Sequence, residues 1–221
     1  MRKLTGAVFQ SLDGVMQAPG GPEEDPSGGF RYGGWPQPFW DESMAGPTRA
    51  IFDEPEYDLL LGKRTYDIFA AHWPYNQDDP IGTKFERIDK YVLTHSHASL
   101  DWVRSHKLSG DTAVAVADLK RTVGRDLLIQ GSSTIYPSLL AAGLINRLIL
   151  MIFPVLLGQG KRIFDGADKP GTFKLADHFV STSGVVFATY EPAGRLATGT
   201  IATKPPSAAE VKPRAQLKLQ N

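Results

Sequence analysis

The 221-residue chain contains no cysteine. That excludes a disulfide framework, thiolate catalysis and cysteine-ligated metal. It also carries no excess of charge, because 24 Lys and Arg stand against 24 Asp and Glu. A chain so balanced has no global field to draw in nucleic acid or an anionic membrane, and neither is expected as a partner. Long apolar runs are missing as well. No stretch approaches the roughly 20 residues that span a bilayer, and MRKLTGAVFQSLDG lacks an extended apolar core ahead of a small-residue cleavage site. The expectation from these absences is a soluble, unexported protein of the cytoplasm.

What is present is 42% hydrophobic residues, enough for one domain with a sizeable core. The domain is expected over 1–203. From Lys204 the chain turns polar, with Pro205, Pro206 and Pro213 and no apolar periodicity, so 204–221 reads as a disordered tail.

One stretch, DLLIQGSSTIYPSLLAAGLINRLILMIFPVLLGQGKRIF from Asp126 to Phe164, organises the rest. Its two nearly continuous apolar runs, Asp126 to Gln130 and Arg147 to Val155, predict strands covered on both faces in a parallel sheet. Between them Ile135, Leu139 and Ala142 share one helical face. Ser133 is the expected N-cap, Pro137 falls in the first turn, and Gly143 is placed to end the helix. The turn Gly131-Ser132-Ser133-Thr134 then presents free N–H groups at a positive helix end, which suits a phosphate. A tight structural turn with an ordinary serine cap explains the same residues equally well.

A second turn repeats the pattern. Tyr57 to Leu61 predicts a buried strand, Gly62-Lys63-Arg64-Thr65 follows it, and Tyr66 to Ala71 reads as a helix. Glycine allows a close turn, Thr65 can cap, and Lys63 and Arg64 put positive charge beside the helix start. Two such turns in one sheet favour a phosphorylated cofactor over coincidence. Elsewhere, Lys3 to Leu12 predicts a first strand ending at Asp13-Gly14. There Asp13 either stabilises the turn or serves a site. Gln17 to Pro47 is rich in Gly and Pro, yet it holds Phe30, Tyr32, Trp35, Phe39 and Trp40. It reads as a packed loop, either a lid over a site or an Ω-like surface loop. Asp41 and Glu42 are expected to open a helix through Ile51. Lys90 to Leu93 predicts a third strand leading into Thr94-His95-Ser96-His97. With no third ligand suggested nearby, polar contacts to a ribose or phosphate fit that segment better than a metal, and no metal site is expected. Thr112 to Ala115 reads as a strand, Asp118 to Gly124 as a short helix, and Phe173 to Asp177, Val180 to Tyr190 and Leu196 to Ala202 as closing segments, the last two antiparallel strands.

In this order the motifs SLDG (Ser11 to Gly14), LLLGKRTYD (Leu59 to Asp67), VLTHS (Val92 to Ser96) and the long stretch from Leu127 to Phe164 carry a resemblance. Over roughly Lys3 to Tyr190 the chain resembles the dihydrofolate reductase-like superfamily. Within it, the chain resembles the riboflavin-biosynthesis reductase domain and its stand-alone relatives. The resemblance implies an α/β, three-layer fold. A mainly parallel twisted central sheet would be flanked by helices, with antiparallel C-terminal strands and NADPH bound across strand ends. It implies that Gly62, Lys63, Arg64 and Thr65 hold the cofactor's phosphates, that Thr94, His95 and Ser96 lie near the adenosine ribose and its extra phosphate, and that Gly131, Ser132, Ser133 and Thr134 meet the pyrophosphate. Where the family has a second glycine this chain has Ser132. Its Cβ would stand at the point of closest approach, and its hydroxyl could hydrogen-bond the pyrophosphate.

The implied activity is an NADPH-dependent reduction of a small heterocyclic or carbonyl substrate, such as 5-amino-6-(5-phosphoribosylamino)uracil. Asp13 is the first candidate to relay the balancing proton, with Asp41 and Glu42 behind it. The alternatives are a non-catalytic nucleotide-binding protein of the same fold, a dihydrofolate reductase, for which no acidic residue has a secure counterpart, and a purely structural module. The family association suggests a homodimer.

Overall fold

Leu4–Ser11 (β1) is almost entirely buried and is the strand on which the sheet is assembled. A computed structural model describes residues 1–53, 55–167, 169–201 and 204–218. After β1 the chain runs through α1 (Ala45–Phe52), β2 (Tyr57–Gly62), α2 (Lys63–His72), α3 (Pro80–Arg87), β3 (Lys90–Leu93) and β4 (Ser105–Leu108). It continues through α4 (Thr112–Arg121), β5 (Asp126–Gln130), α5 (Tyr136–Ala141), β6 (Arg147–Phe153), β7 (Thr172–Val180), β8 (Val186–Gly194) and α6 (Ala208–Lys218). Among the described residues, eight strands form one sheet in the order β4-β3-β2-β5-β1-β6-β8-β7. All neighbours from β4 to β6 are parallel, and β6, β8 and β7 pair antiparallel.

The apolar runs explain this arrangement. In β2 every residue is buried, and alternate side chains serve opposite faces of the sheet. Leu59 and Leu61 enter a core with Phe52, Tyr66 and Phe85, whereas Leu60 joins Leu4, Val116, Leu127, Ile129 and Leu139 on the other face. Helices must therefore cover both faces, which gives the expected α/β, three-layer, mainly parallel fold with antiparallel C-terminal strands. Between β5 and β6 the chain crosses over β1, with α5 in the crossover. α5 ends as anticipated. Gly143 takes φ 65°, its N–H reaches Leu140 O at 3.0 Å, and Leu144 N reaches Leu139 O at 3.0 Å, a left-handed C-terminal cap.

Several local expectations are corrected. Thr112 to Ala115 is no strand but the start of α4, because the Asp111 carboxylate accepts from Val114 N at 2.9 Å and caps a single helix. Ser133 does not cap α5. It opens a 3₁₀ turn, Ser133–Ile135, ahead of the helix, and neither element has a side-chain cap. The closing hairpin is β7 and β8, turning at Ser181 to Val185. The strand expected at Leu196 to Ala202 is absent over 196–201, and Ala202 lies outside the described residues. Beyond 203, the stretch read as a disordered tail holds α6. Ser207 and Glu210 bond reciprocally at its start, with Ser207 N 2.8 Å from Glu210 Oε2. Its described side chains are all exposed. No helix among the described residues is long and apolar enough to cross a membrane.

The N-terminal ends of the central strands are tied together by a buried ion pair. Arg2 Nη2 lies 2.5 Å from Asp58 Oδ2, with side-chain exposures of 1% and 4%. Arg2 also donates to Arg125 O and sits 5.0 Å above the Tyr91 ring, and Asp58 Oδ1 accepts from Asp89 N at 3.2 Å. The pair therefore links β1, β2, β3 and β5 at the end opposite the cleft described below. Asp58→Ala leaves Arg2 buried without a counter-charge and is expected to cost about 3–5 kcal/mol, measured by urea unfolding. A loss under about 1 kcal/mol would mean that the pair behaves as an exposed one.

Candidate functional site

In an open α/β sheet, the carboxyl ends of strands on either side of a reversal in strand order leave a crevice. Here the reversal falls where β5 returns between β2 and β1. A cleft of about 1280 Å³ opens at that point. Ala7, Val8 and Phe9 of β1, Gly62 at the end of β2 and Gln130 at the end of β5 line its floor. Lys63, Arg64 and Thr65 of α2, and the turn Gly131 to Thr134, form one wall. The two glycine turns anticipated from sequence are thus brought together.

Their contact is direct. Gly62 N donates to Ser132 Oγ at 2.8 Å, and Ser132 Oγ donates to Thr65 Oγ1 at 2.8 Å. Gly131 has φ 74°, and a Cβ there would stand 3.0 Å from Thr65 Cγ2. This is a position only glycine fits without displacement. Ser132 itself is left-handed, φ 62° and ψ 58°, a strained conformation for a residue with a Cβ. Its hydroxyl is spent between the two turns rather than aimed into open cleft. Thr65 accepts from Ser132 and so keeps its own hydroxyl proton to donate. Thr65 does not cap α2. The cap position is Gly62, without a side-chain cap bond, so α2 starts uncapped at its positive end where residues 63–65 line the cleft.

The remaining anticipated residues are placed elsewhere. Thr94, His95 and Ser96 follow β3, one strand outward from Gly62, and are not part of the cleft lining. Thr94 Oγ1 accepts from Ser96 N at 3.0 Å, and His95 is exposed. Asp13 lies outside the cleft lining too. Its carboxylate accepts from Ser11 Oγ at 2.6 Å, Leu157 N at 3.1 Å and Gly158 N at 2.8 Å, and Arg162 Nη2 is 3.4 Å away. Those donors, Ser11 first, hold it well below the usual carboxylate range. Asp41 caps the 3₁₀ turn Glu42–Met44 through Ser43 N at 2.8 Å and pins the β7–β8 turn through Ser183 N at 2.8 Å. Its pKa is likewise lowered, by Ser43 and then Ser183. Both carboxylates clamp loops, and the donors around them favour the ionised form.

The loop from Met16 to Asp25, with Pro36, Gln37 and Trp40, closes one side of the cleft, within the segment read as a lid or a surface loop. Phe69, His72, Trp73 and Lys161 complete the lining and went unrecognised in the sequence. The loop packs as its aromatics suggested. Trp35 and Phe30 are buried, and Trp35 Nε1 donates to Gln17 O at 2.9 Å. Within it, burial pushes the Glu24 carboxyl above its usual range, against the pull of the Gly20 and Gly21 N–H groups. Glu24 had no sequence signal, because nothing local marks a loop glutamate as covered.

A parallel sheet with its crevice between β1, β2 and β5, two glycine turns on the crevice wall and an antiparallel C-terminal hairpin define the dihydrofolate reductase-like α/β class. More narrowly, the chain belongs to the RibD C-terminal domain family, whose model matches residues 2–187. Among solved structures it is similar to a protein assigned to riboflavin biosynthesis from Shewanella sp. PV-4, at 20% identity and TM-score 0.60 over 87% of this chain and 99% of that one. It is also similar to dihydrofolate reductase from Enterococcus faecalis complexed with NADP(H), at 16% identity and TM-score 0.54 over 86% and 96%. A third likeness is to a deaminase/5-amino-6-(5-phosphoribosylamino)uracil reductase from Thermotoga maritima, at 13% identity and TM-score 0.56 over 87% of this chain and 57% of that longer one. The family model covers nearly the whole chain, and these solved structures share its fold.

The Ser132 bridge makes a specific prediction about stability. Ser132→Ala keeps the left-handed strain and loses both bonds, so it is expected to lose about 1–2 kcal/mol. Ser132→Gly loses the bonds but relieves about 1 kcal/mol of strain, and should melt above Ser132→Ala. Equal melting temperatures for the two variants would show that no strain is stored at this position.

Proposed function

We propose that the protein is an NADPH-dependent reductase that passes hydride to a small heterocyclic or carbonyl substrate. The first candidate substrate is 5-amino-6-(5-phosphoribosylamino)uracil or a close chemical relative. The observation that carries this reading is the joining of two strand-to-helix glycine turns on one wall of a single cleft. The residues present fit the cofactor. Gly131 leaves a space that a Cβ would fill, the α2 N-terminus and the Thr65 hydroxyl offer donors, and Lys63 and Arg64 offer charge. NADPH, when bound, supplies the hydride. The chain's own work is to bind, orient and shield. Phe9 and Trp40 give flat apolar surface for a planar ring, and the Met16 to Asp25 loop excludes water. Asp13 and Asp41 lie outside the cleft lining, and Glu24, a carboxyl of the lining that burial pushes above its usual range, is the candidate to relay the balancing proton.

A second reading, a nucleotide-binding protein of this fold without turnover, is favoured by the structural use of both carboxylates first expected to act. The two are separated by mixing the protein with NADPH and a panel of phosphoribosylamino-pyrimidines, pterins and quinones, and following absorbance at the reduced-nicotinamide band. The reductase reading expects a rise in melting temperature with NADPH and oxidation with at least one compound. A rise without oxidation on any of them supports the second reading, and no rise at all rejects both.

The proposal includes a homodimer and residence in the cytoplasm. The nine-residue β7 is an edge strand with Phe173, Leu175 and Val180 exposed, and such edges call for cover. Light scattering should give twice the chain mass at micromolar concentration, and Leu175→Lys should reduce it. A single-chain mass at all concentrations removes the dimer.

A further inference from the structure

Arg64, at the start of α2, and Lys161, after β6, reach the cleft from strands that flank β5 and β1 on opposite sides. Their side chains converge on one hydroxyl. Ser27 Oγ lies 2.6 Å from Arg64 Nη1 and 2.9 Å from Lys161 Nζ. The Asp25 carboxylate sits among them, with Oδ2 2.5 Å from Lys161 Nζ and Oδ1 3.3 Å from Arg64 Nη1 and 2.6 Å from Ser27 Oγ. Two cations therefore share one carboxylate, and a unit of positive charge is left over in the cluster. Lys63, the other cation of the α2 start, pairs with Asp67 of its own helix at 2.6 Å.

The carboxylate makes one backbone bond in the loop, from Ser27 N to Asp25 Oδ1 at 3.2 Å, and other bonds hold the loop beside it. Buried Gln17 donates through Nε2 to Asp25 O at 2.8 Å and Ser27 O at 2.9 Å, and its Oε1 accepts from Lys161 N at 3.1 Å. The backbone of the loop is thus fastened to the segment at 161 by amide bonds. The Arg64 side chain is 62% exposed, and ion pairs of that kind are weak and exchangeable. A dianionic phosphate matches the two cations in charge, presents more acceptor oxygens than a carboxylate, and suits the forked guanidinium.

We propose that Arg64, Lys161 and the Ser27 hydroxyl form a binding site for a phosphate group, which Asp25 fills with its own carboxylate until the ligand displaces it. The ligand class is a phosphomonoester of a ribose, carried by the cofactor or by the substrate. The site deepens the reductase reading, since both would enter this cleft, yet its chemistry needs only the phosphate.

The test is calorimetric titration of the full-length protein at low salt with NADPH, NADH and ribose 5-phosphate. The variants are Lys161→Met, Arg64→Met, Ser27→Ala and Asp25→Asn, each first checked for folding by its melting curve. Loss of a charge-assisted bond in Lys161→Met or Arg64→Met should weaken at least one phosphomonoester ligand about tenfold, whereas Asp25→Asn should tighten the same ligand, because it removes the internal competitor. If Asp25→Asn does not fold, Ser27→Ala takes its place, with weaker binding expected and unchanged binding against the site. A response to NADPH but not NADH assigns the site to the cofactor's extra phosphate. A response to ribose 5-phosphate assigns it to a substrate phosphate. Should ribose 5-phosphate bind and respond while NADPH does not bind, the site stands and the cofactor reading fails. NADPH binding that ignores all four substitutions, with no ribose 5-phosphate binding, leaves the cofactor reading and overturns the site. Weaker binding in Asp25→Asn, equal to that in Lys161→Met, makes Asp25 a scaffold for the cations and overturns displacement. Absence of binding by all three ligands rejects both.

Discussion

β1 takes parallel partners along both edges, β5 through Leu4 to Ala7 and β6 through Thr5 to Ser11. A parallel strand cannot be joined to its neighbour by a hairpin, so each connection must cross over one face of the sheet. The chain accordingly leaves β1 for β2, β3 and β4, returns as β5, and passes over β1 to β6. All the carboxyl ends of these strands then point the same way, and the turns that follow them collect at one edge. The cleft is a consequence of that placement, and the buried Arg2–Asp58 pair secures the opposite edge.

Within the cleft, the Ser132 hydroxyl joins two helix-opening turns that are distant in sequence. A second glycine at this point would leave the two turns to be aligned by packing alone. Serine accepts backbone strain and in return fixes Gly62 and Thr65 relative to Gly131. Charge in the cleft is arranged with the same economy. Asp25 holds Arg64 and Lys161 on one side, Asp67 holds Lys63 on another, and Glu24 is left covered and shifted toward its neutral form.

Much of this was legible in the sequence where an element's burial is complete. DLLIQ, YDLLLG and RLILMIF are apolar on both faces, and no other environment suits them, so their strands and the α/β class follow directly. Local chemistry served equally well at Gly143 and Pro137. It misled where two periods coincide. TAVAVA alternates as a strand does, yet Val116 and Leu119 also share a helical face, and the Asp111 cap decided for the helix. β4, the polar SHKL, carries no signal at all, because an edge strand is held by its ladder with β3 rather than by buried side chains.

Apolar periodicity and glycine geometry act within a few residues, so the class of the fold and the two glycine turns could be read from residue order alone. What most of the site's polar side chains do emerges from folding. Beside their local donors, Ser11 and Ser43, the carboxylates of Asp13 and Asp41 are held by donors brought from elsewhere in the chain. Leu157 and Gly158 claim Asp13, Ser183 claims Asp41, and Lys161 and Arg64 claim Asp25. Hydrogen bonds and ion pairs of that kind form across folded distances that no local pattern encodes.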